Sequence, residues 1–154
     1  MDSQVIVALI SFGAGVIVTT LTGGLARRLK ISEFRQAWIS SLRDDIAAYL
    51  GTTQRWFNAA SREEEGWKQF GMGNEATVIL YRIRLRINPH ENVHKKEDDE
   101  FLNALAKIQS PSNIPKAMLE SYWAEAADDV ADKARKLLKR EWETTKRMRL
   151  WQWR

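Results

Sequence analysis

Hydrophobic and polar positions divide the chain into a charge-free stretch and a longer patterned remainder. From Ser3 to Ala26 no residue is charged, a run of about 24 residues. A bilayer-spanning helix needs roughly 20 apolar residues. The run is apolar on every face, unlike a helix that lies on a soluble core. Asp2 precedes it, and Arg27, Arg28 and Lys30 follow at once. Cations gather on the cytoplasmic side of a spanning helix, so the first residues are expected outside and the rest of the chain in the cytoplasm. A cleaved signal peptide is the competing reading. It requires a basic leading region, a short apolar segment and a small-residue cleavage site. Here the leading residue is an acid and the apolar run is long. Within the run, Ser11, Gly15, Thr19 and Gly23 fall four residues apart. Small residues at that spacing let two membrane helices approach closely, so self-association is expected along this face.

Beyond Gly23-Gly24, which could loosen the membrane exit, apolar positions recur every three to four residues. Ile31, Phe34, Trp38, Leu42, Ile46, Tyr49, Trp56 and Ala60, with Thr53 filling a gap, predict one amphipathic helix over 31–60. Thirty residues at 1.5 Å each would span roughly 45 Å. Glu33, Arg43, Asp44 and Arg55 take its polar face. Ser32 is a candidate cap, the alternative being a helix that runs on from the anchor. Residues 61–73 read as a polar connection, with a helix resuming near Trp67 or Asn74. The stretch after it is ambiguous. Tyr81, Ile83, Leu85 and Ile87 alternate with arginines like a strand, while Ala76, Leu80, Ile83 and Ile87 make a helical stripe. A lone strand leaves its backbone groups without partners, and no second strand candidate exists, so a helix is expected. Asn88-Pro89-His90-Glu91 has the order of a helix start: cap, proline at the first position, acid at the third. Phe101, Leu102, Leu105 and Ile108 supply the next apolar face. Ser110 to Pro115 is a loop. Met118, Tyr122, Ala126, Val130, Ala134, Leu137, Leu138 and Trp142 then form the stripe of a last helix from about Pro115 toward Met148.

Composition narrows the classes. The chain has 154 residues and no cysteine, which excludes disulfides and thiolate metal sites and fits a reducing compartment. Its net charge is +4. Beside an inner leaflet, attraction to anionic lipid explains that balance as readily as nucleic acid does. Two domains are expected: an anchor with its basic flank, 1–30, and a cytoplasmic helical domain, 31–154.

Three segments, ISEFRQAWISSLRDDIAAYL, IRLRINPHENVH and KARKLLKREWETTK, stand behind the anchor. In combination they resemble a family of small bacterial single-pass membrane proteins of unassigned function, with an ISEFRQ-x-W segment, an LNP-x-E-x-x-H turn and an LK-x-EW end. The resemblance spans most of the chain. It implies a helical anchor-plus-stalk architecture and a helix over 76–87, and no catalytic residues. Ile87 stands where the family usually has leucine.

One catalytic signal is sharp. His90-Glu91-Asn92-Val93-His94 spells H-E-x-x-H, which on a helix sets two imidazoles one turn apart on zinc with Glu91 as general base. A third ligand would have to be a carboxylate such as Glu120 or Glu125. Against this, the motif falls where a helix end frays. The polar KKEDDE after it offers no dry, supported metal site. In the resembled family the later histidine and the glutamate recur and the first histidine does not. The reading preferred is a capping turn with solvated histidines, hence no metal and no cofactor. Arg82, Arg84 and Arg86 could meet phosphate, but arginines beside an apolar stripe usually form a solvated face, so nucleic acid is disfavoured as a partner. At the other end, Arg147, Arg149, Trp151, Trp153 and Arg154 join arginine to tryptophan, the composition of a headgroup layer. With Arg27, Arg28 and Lys30 they are the expected membrane interface.

The expectation is therefore an all-α protein: an N-terminal transmembrane helix followed by a cytoplasmic antiparallel helical bundle, in which the 31–60 helix and the last helix pair. The expected role is non-enzymatic, a protein-interaction or assembly module at the inner membrane. Its partners would be the bilayer, an unidentified protein and a second copy of itself. A membrane-perturbing effector of the phage-exclusion or abortive-infection type is the alternative, and the zinc hydrolase ranks third.

Overall fold

A computed structural model describes the backbone of residues 3–62, 66–87, 93–109 and 114–150. Side chains are described from residue 26 onward within those ranges, apart from residues 28, 67–70 and 148–150. Among the described residues every regular element is helical. The order is α1 (Ser3–Ser61), α2 (Gly66–Arg86), α3 (Lys95–Ile108), a 3₁₀ turn (Lys116–Met118) and α4 (Leu119–Leu150). The all-α expectation therefore holds. Among the described residues no helix is long and apolar enough to cross a membrane. The side chains of the uncharged run over 3–25, with Ser11, Gly15, Thr19 and Gly23, lie outside the described residues.

Of the two alternatives at residue 31, a cap at Ser32 or a helix that runs on, the backbone takes the second. The 31–60 helix does not begin at residue 31. α1 runs unbroken from Ser3, through Gly23-Gly24 and past Ser32, which is buried inside the helix rather than capping it. Good helix formers on both sides outweigh the roughly 1 kcal/mol cost of each interior glycine. The expected helix start at Asn88-Pro89-His90-Glu91 lies outside the described residues; α3 runs Lys95–Ile108, with His94 at its N-cap.

The chain forms two compact units, 39–141 and 1–38 with 142–154. In the first, four helical segments pack by simple antiparallel succession. Asp45 of α1 meets Arg82 and Arg86 near the end of α2, while Arg55, further along α1, meets Glu75 in the middle of α2. The α2–α3 register is marked by Gln109 donating to Thr77 Oγ1 at 3.1 Å. α3 and α4 run opposite, with Asp98 beside Arg140 and Lys107 beside Tyr122. α4 returns to α1 where Trp123 Nε1 donates to Thr53 Oγ1 at 3.1 Å and the Tyr122 ring stacks on Phe57.

The core follows the helical stripes. Leu42, Ile46, Tyr49 and Thr53 of α1 are buried, as are Ala76, Leu80 and Ile83 of α2 and Ile87 just beyond its end. Phe101, Leu105 and Ile108 of α3 and Ala126, Val130, Ala134 and Leu137 of α4 complete it. Ile39 and Phe57 join them, widening the α1 stripe beyond the expected positions. The helix-or-strand ambiguity of 76–87 resolves on one residue. Leu85 belongs only to the alternating pattern, and it is 88% exposed, while Ile83 is fully buried.

In the second unit Ser32 of α1 and Thr145 of α4 are buried. Ile31 and Phe34, expected on a packed stripe, are exposed. So are Met118 in the first unit and, in the second, Trp142, over whose ring Lys146 Nζ lies at 5.7 Å.

The stripe assignment sets a test. Ile83→Ala is expected to destabilise the protein by about 2–4 kcal/mol, the cost of a core cavity. Leu85→Ala is expected to change stability by less than about 0.5 kcal/mol. Urea unfolding of the two variants in one micelle system compares them directly. Equal losses would show that the outer face of α2 is not free of packing.

Candidate functional site

The polar groups that the bundle buries come from predictable places. Asp45 stands three residues after Leu42 and beside Ile46, on the apolar stripe of α1. A carboxylate taken into a core must be paired. Arg82 Nη1 donates to its Oδ1 at 3.0 Å, and Arg86 Nε donates to its Oδ2 at 2.7 Å. Asp98 stands three residues before Phe101 on the α3 stripe and is 2% exposed. Arg140 Nη2 donates to its Oδ1 at 2.8 Å, and Arg140 Nε reaches Glu141 at 3.2 Å. Two of the three arginines considered for phosphate thus have a carboxylate within the bundle. The third, Arg84, lies over the Tyr81 ring at 5.6 Å.

The C-terminal end of α3 is a second polar site. The last four carbonyls of a helix have no partner within it, and the sequence after Ile108 is Gln109-Ser110-Pro111, without a capping glycine. Side chains supply the missing donors. Tyr49 Oη donates to the Leu105 carbonyl at 2.7 Å, and Tyr122 Oη to the Lys107 carbonyl at 3.0 Å. The Gln109 N–H closes on the Ala106 carbonyl at 3.1 Å. Tyr49 is fully buried. Its burial pushes the phenol well above its ordinary value near 10, against an opposing pull from the positive charge of Arg84. Thr53 continues the seam, donating to the Tyr49 carbonyl at 2.9 Å while accepting from Trp123. Among the described residues no buried side-chain nitrogen or oxygen lacks a hydrogen-bond partner.

The recess between α3 and α4 is an open cleft of about 510 Å³. Its walls include His94, Glu97, Asp129, Lys133 and Arg140. These polar groups neighbour one another in pairs. His94 Nδ1 lies 3.6 Å from Glu97, and Lys133 pairs with Asp129 one helical turn away. Such an array is a mixed-charge surface rather than a field of one sign.

Of the zinc motif, His90 and Glu91 lie outside the described residues. His94 precedes the first turn of α3, with φ −101° and ψ 21°, and makes no side-chain cap bond. Among the described residues no group of three His, Cys, Asp or Glu side chains is placed to hold a metal ion. Of the expected membrane-interface residues, Arg27, Lys30 and Arg147 are exposed. The side chains of Arg28 and Arg149, and Trp151, Trp153 and Arg154, lie outside the described residues. Sequence reasoning overlooked Asp45, Asp98 and the two tyrosine caps. The acids were findable, because each breaks an otherwise apolar stripe. The caps were not, because which carbonyl a tyrosine reaches depends on how helices distant in sequence meet.

No protein-family model, no curated protein and no solved structure matches this chain.

Tyr49 gives a measurable pH signature. Its pKa is raised in the folded state, so its contribution to stability is complete below the unfolded value near 10 and falls as pH rises toward the folded value. Tyr49→Phe is expected to lower neutral-pH stability by about 1 kcal/mol, the net worth of one hydrogen bond. It is also expected to flatten the alkaline loss of stability above pH 10. Unfolding curves at neutral pH and across the alkaline range measure both. An unchanged alkaline slope would mean that Tyr49 is not the group that titrates.

Proposed function

We propose that this chain is a membrane-anchored, non-enzymatic protein-interaction or assembly module at the cytoplasmic face of a bacterial inner membrane. The observation that carries the reading is the charge-free run from Ser3 to Ala26, closed by Arg27, Arg28 and Lys30. A run of that length is long enough to span a bilayer, and the basic flank orients it. The backbone of α1 is helical through the run and beyond it. That is the conformation in which a spanning segment satisfies its own hydrogen bonds. Exposed Leu29 and Ile31, interleaved with Arg27 and Lys30, suit a headgroup layer. The end of α4 falls in the same compact unit as this segment. Arg147 and the tryptophan-rich tail would therefore add to the same interface.

The non-enzymatic part of the reading draws on the buried polar groups. Asp45, Asp98 and Tyr49 are engaged in joining helices. Groups used in that way hold an architecture, and what such an architecture offers is its surface.

Topology is the direct test. A reporter fused after Arg154 is expected to be active in the cytoplasm, with the protein resisting alkaline extraction from membranes. Periplasmic activity, or release by alkaline carbonate, would overturn the anchor. Self-association through the run is tested separately. Gly15→Ile should obstruct close helix approach and cost about 1–2 kcal/mol per contact. Loss of crosslinked dimers in membranes is the expected result, and an unchanged dimer fraction rejects that face.

A further inference from the structure

α2 turns an apolar stripe away from the bundle. Val78, Tyr81 and Leu85 are 59%, 56% and 88% exposed, at spacings of three and four residues along one helix face. Ile79, Leu80 and Ile83 on the other side supply the core. An exposed leucine alone is ordinary, but three large apolar side chains in helical register form the seam along which a second helix packs.

The charges beside the seam select its occupant. Residues 76–87 contain three arginines and no acid. Asp45, the carboxylate that meets Arg82 and Arg86, has a buried side chain, whereas that of Arg82 is 53% exposed. Counting Asp45, and Glu75, which pairs with Arg55 just before this stretch, the arginines still outnumber the acids along the stripe, which is positive on balance. With Val78 and Leu85 at the a positions of a heptad and Tyr81 at d, Arg82 falls at e and Arg84 at g, the positions whose charges choose a partner. A second copy laid on this seam would set arginine against arginine, which is unfavourable. A helix with apolar a and d positions and Glu or Asp at e and g satisfies both the stripe and its flanks.

We infer that the outer face of α2 docks an acidic amphipathic helix of a partner protein. This rests on the reading of the chain as an interaction module, and it names the surface and the partner's chemistry. An anionic bilayer is the competing occupant, because exposed apolar side chains with arginines also suit headgroups.

The test uses the full chain in micelles of a neutral detergent. The probe is a fluorescent 21-residue helical peptide with Leu at a and d and Glu at e and g. A second peptide carries Lys at e and g. Anisotropy titration is expected to show saturable binding of the Glu peptide, with the Lys peptide about tenfold weaker or more. Leu85→Asp alters an exposed side chain and should leave the thermal melt unchanged while weakening the Glu peptide about tenfold. Arg84→Glu should shift preference toward the Lys peptide. The inference fails if the Glu peptide does not bind, if both peptides bind alike, or if neither variant changes the titration. It fails too if anionic vesicles displace the Glu peptide from wild type but not from Leu85→Asp, which would assign the face to lipid. Loss of a dimer on Leu85→Asp, read by sedimentation, would assign it to a second copy. None of these results bears on the anchor, which the reporter fusion decides by itself.

Discussion

The bundle depends on how its shortest helix is held. α3 has 14 residues, a length at which an isolated helix is marginal in water. Its two ends face different problems, and other helices solve both. Near its start, Asp98 adds negative charge to the first turn, where the helix dipole favours it, and Arg140 of α4 pairs with that buried carboxylate. At its end, the buried Leu105 carbonyl receives the hydroxyl of Tyr49, and the exposed Lys107 carbonyl that of Tyr122. Each of these contacts joins α3 to another helix of the bundle, α1 or α4. α3 can therefore form fully only when α1 and α4 are in place.

The same economy governs α2. Its last turn carries Arg84 and Arg86, where cations complement the partial negative charge of a helix C-terminus. Asp45 then gathers Arg82 and Arg86 onto α1. Replacing such a pair with well-packed apolar groups is often neutral for stability, whereas removing one partner alone is costly. The pairing therefore says more about register than about strength. A shift of α2 along α1 by one helical turn would leave Asp45 with one of these arginines and cost it the other. The Arg55–Glu75 pair is exposed on both sides, and it adds little energy by comparison.

How much of this was legible in the sequence divides along one physical line. Periodicity reports which face of a helix is apolar, and the stripes at Leu42–Ile46–Tyr49 and Ala76–Leu80–Ile83 were readable because an apolar face is a property of each helix by itself. The strand reading of 76–87 failed for the reason given at the outset, that a lone strand has nowhere to place its backbone hydrogen bonds. Helix ends were less legible. Ser32 has the chemistry of a cap, yet α1 runs past it, because a local capping preference, about 1 kcal/mol, is small beside the continuous helix and the packing that buries it. The far end of the α1 stripe misled for a related reason. Ile31 and Phe34 continue the period, but a period states only that one face is apolar, and it does not say whether protein or lipid covers it. Tyr49 and Tyr122 were read as stripe residues, and their hydroxyls mattered as much as their rings.

That distinction between an apolar face and its cover bears on what the α2 stripe requires of a partner. Three side chains across two helical turns make a small contact, and area of that size gives weak affinity in dilute solution, where association must overcome the loss of translational and rotational freedom. An anchored chain meets a partner under other conditions. Confinement to one membrane raises the effective concentration of two anchored molecules, as a linker does for two joined domains, so a face too small to capture a free protein can still hold an anchored one. An anchor and a modest, charge-selective docking face are then complementary requirements. A larger exposed apolar patch would bind without confinement, at the risk of non-specific association. The arginines flanking Tyr81 restrict the weak contact to helices of opposite charge, which is where specificity must come from when area cannot supply it.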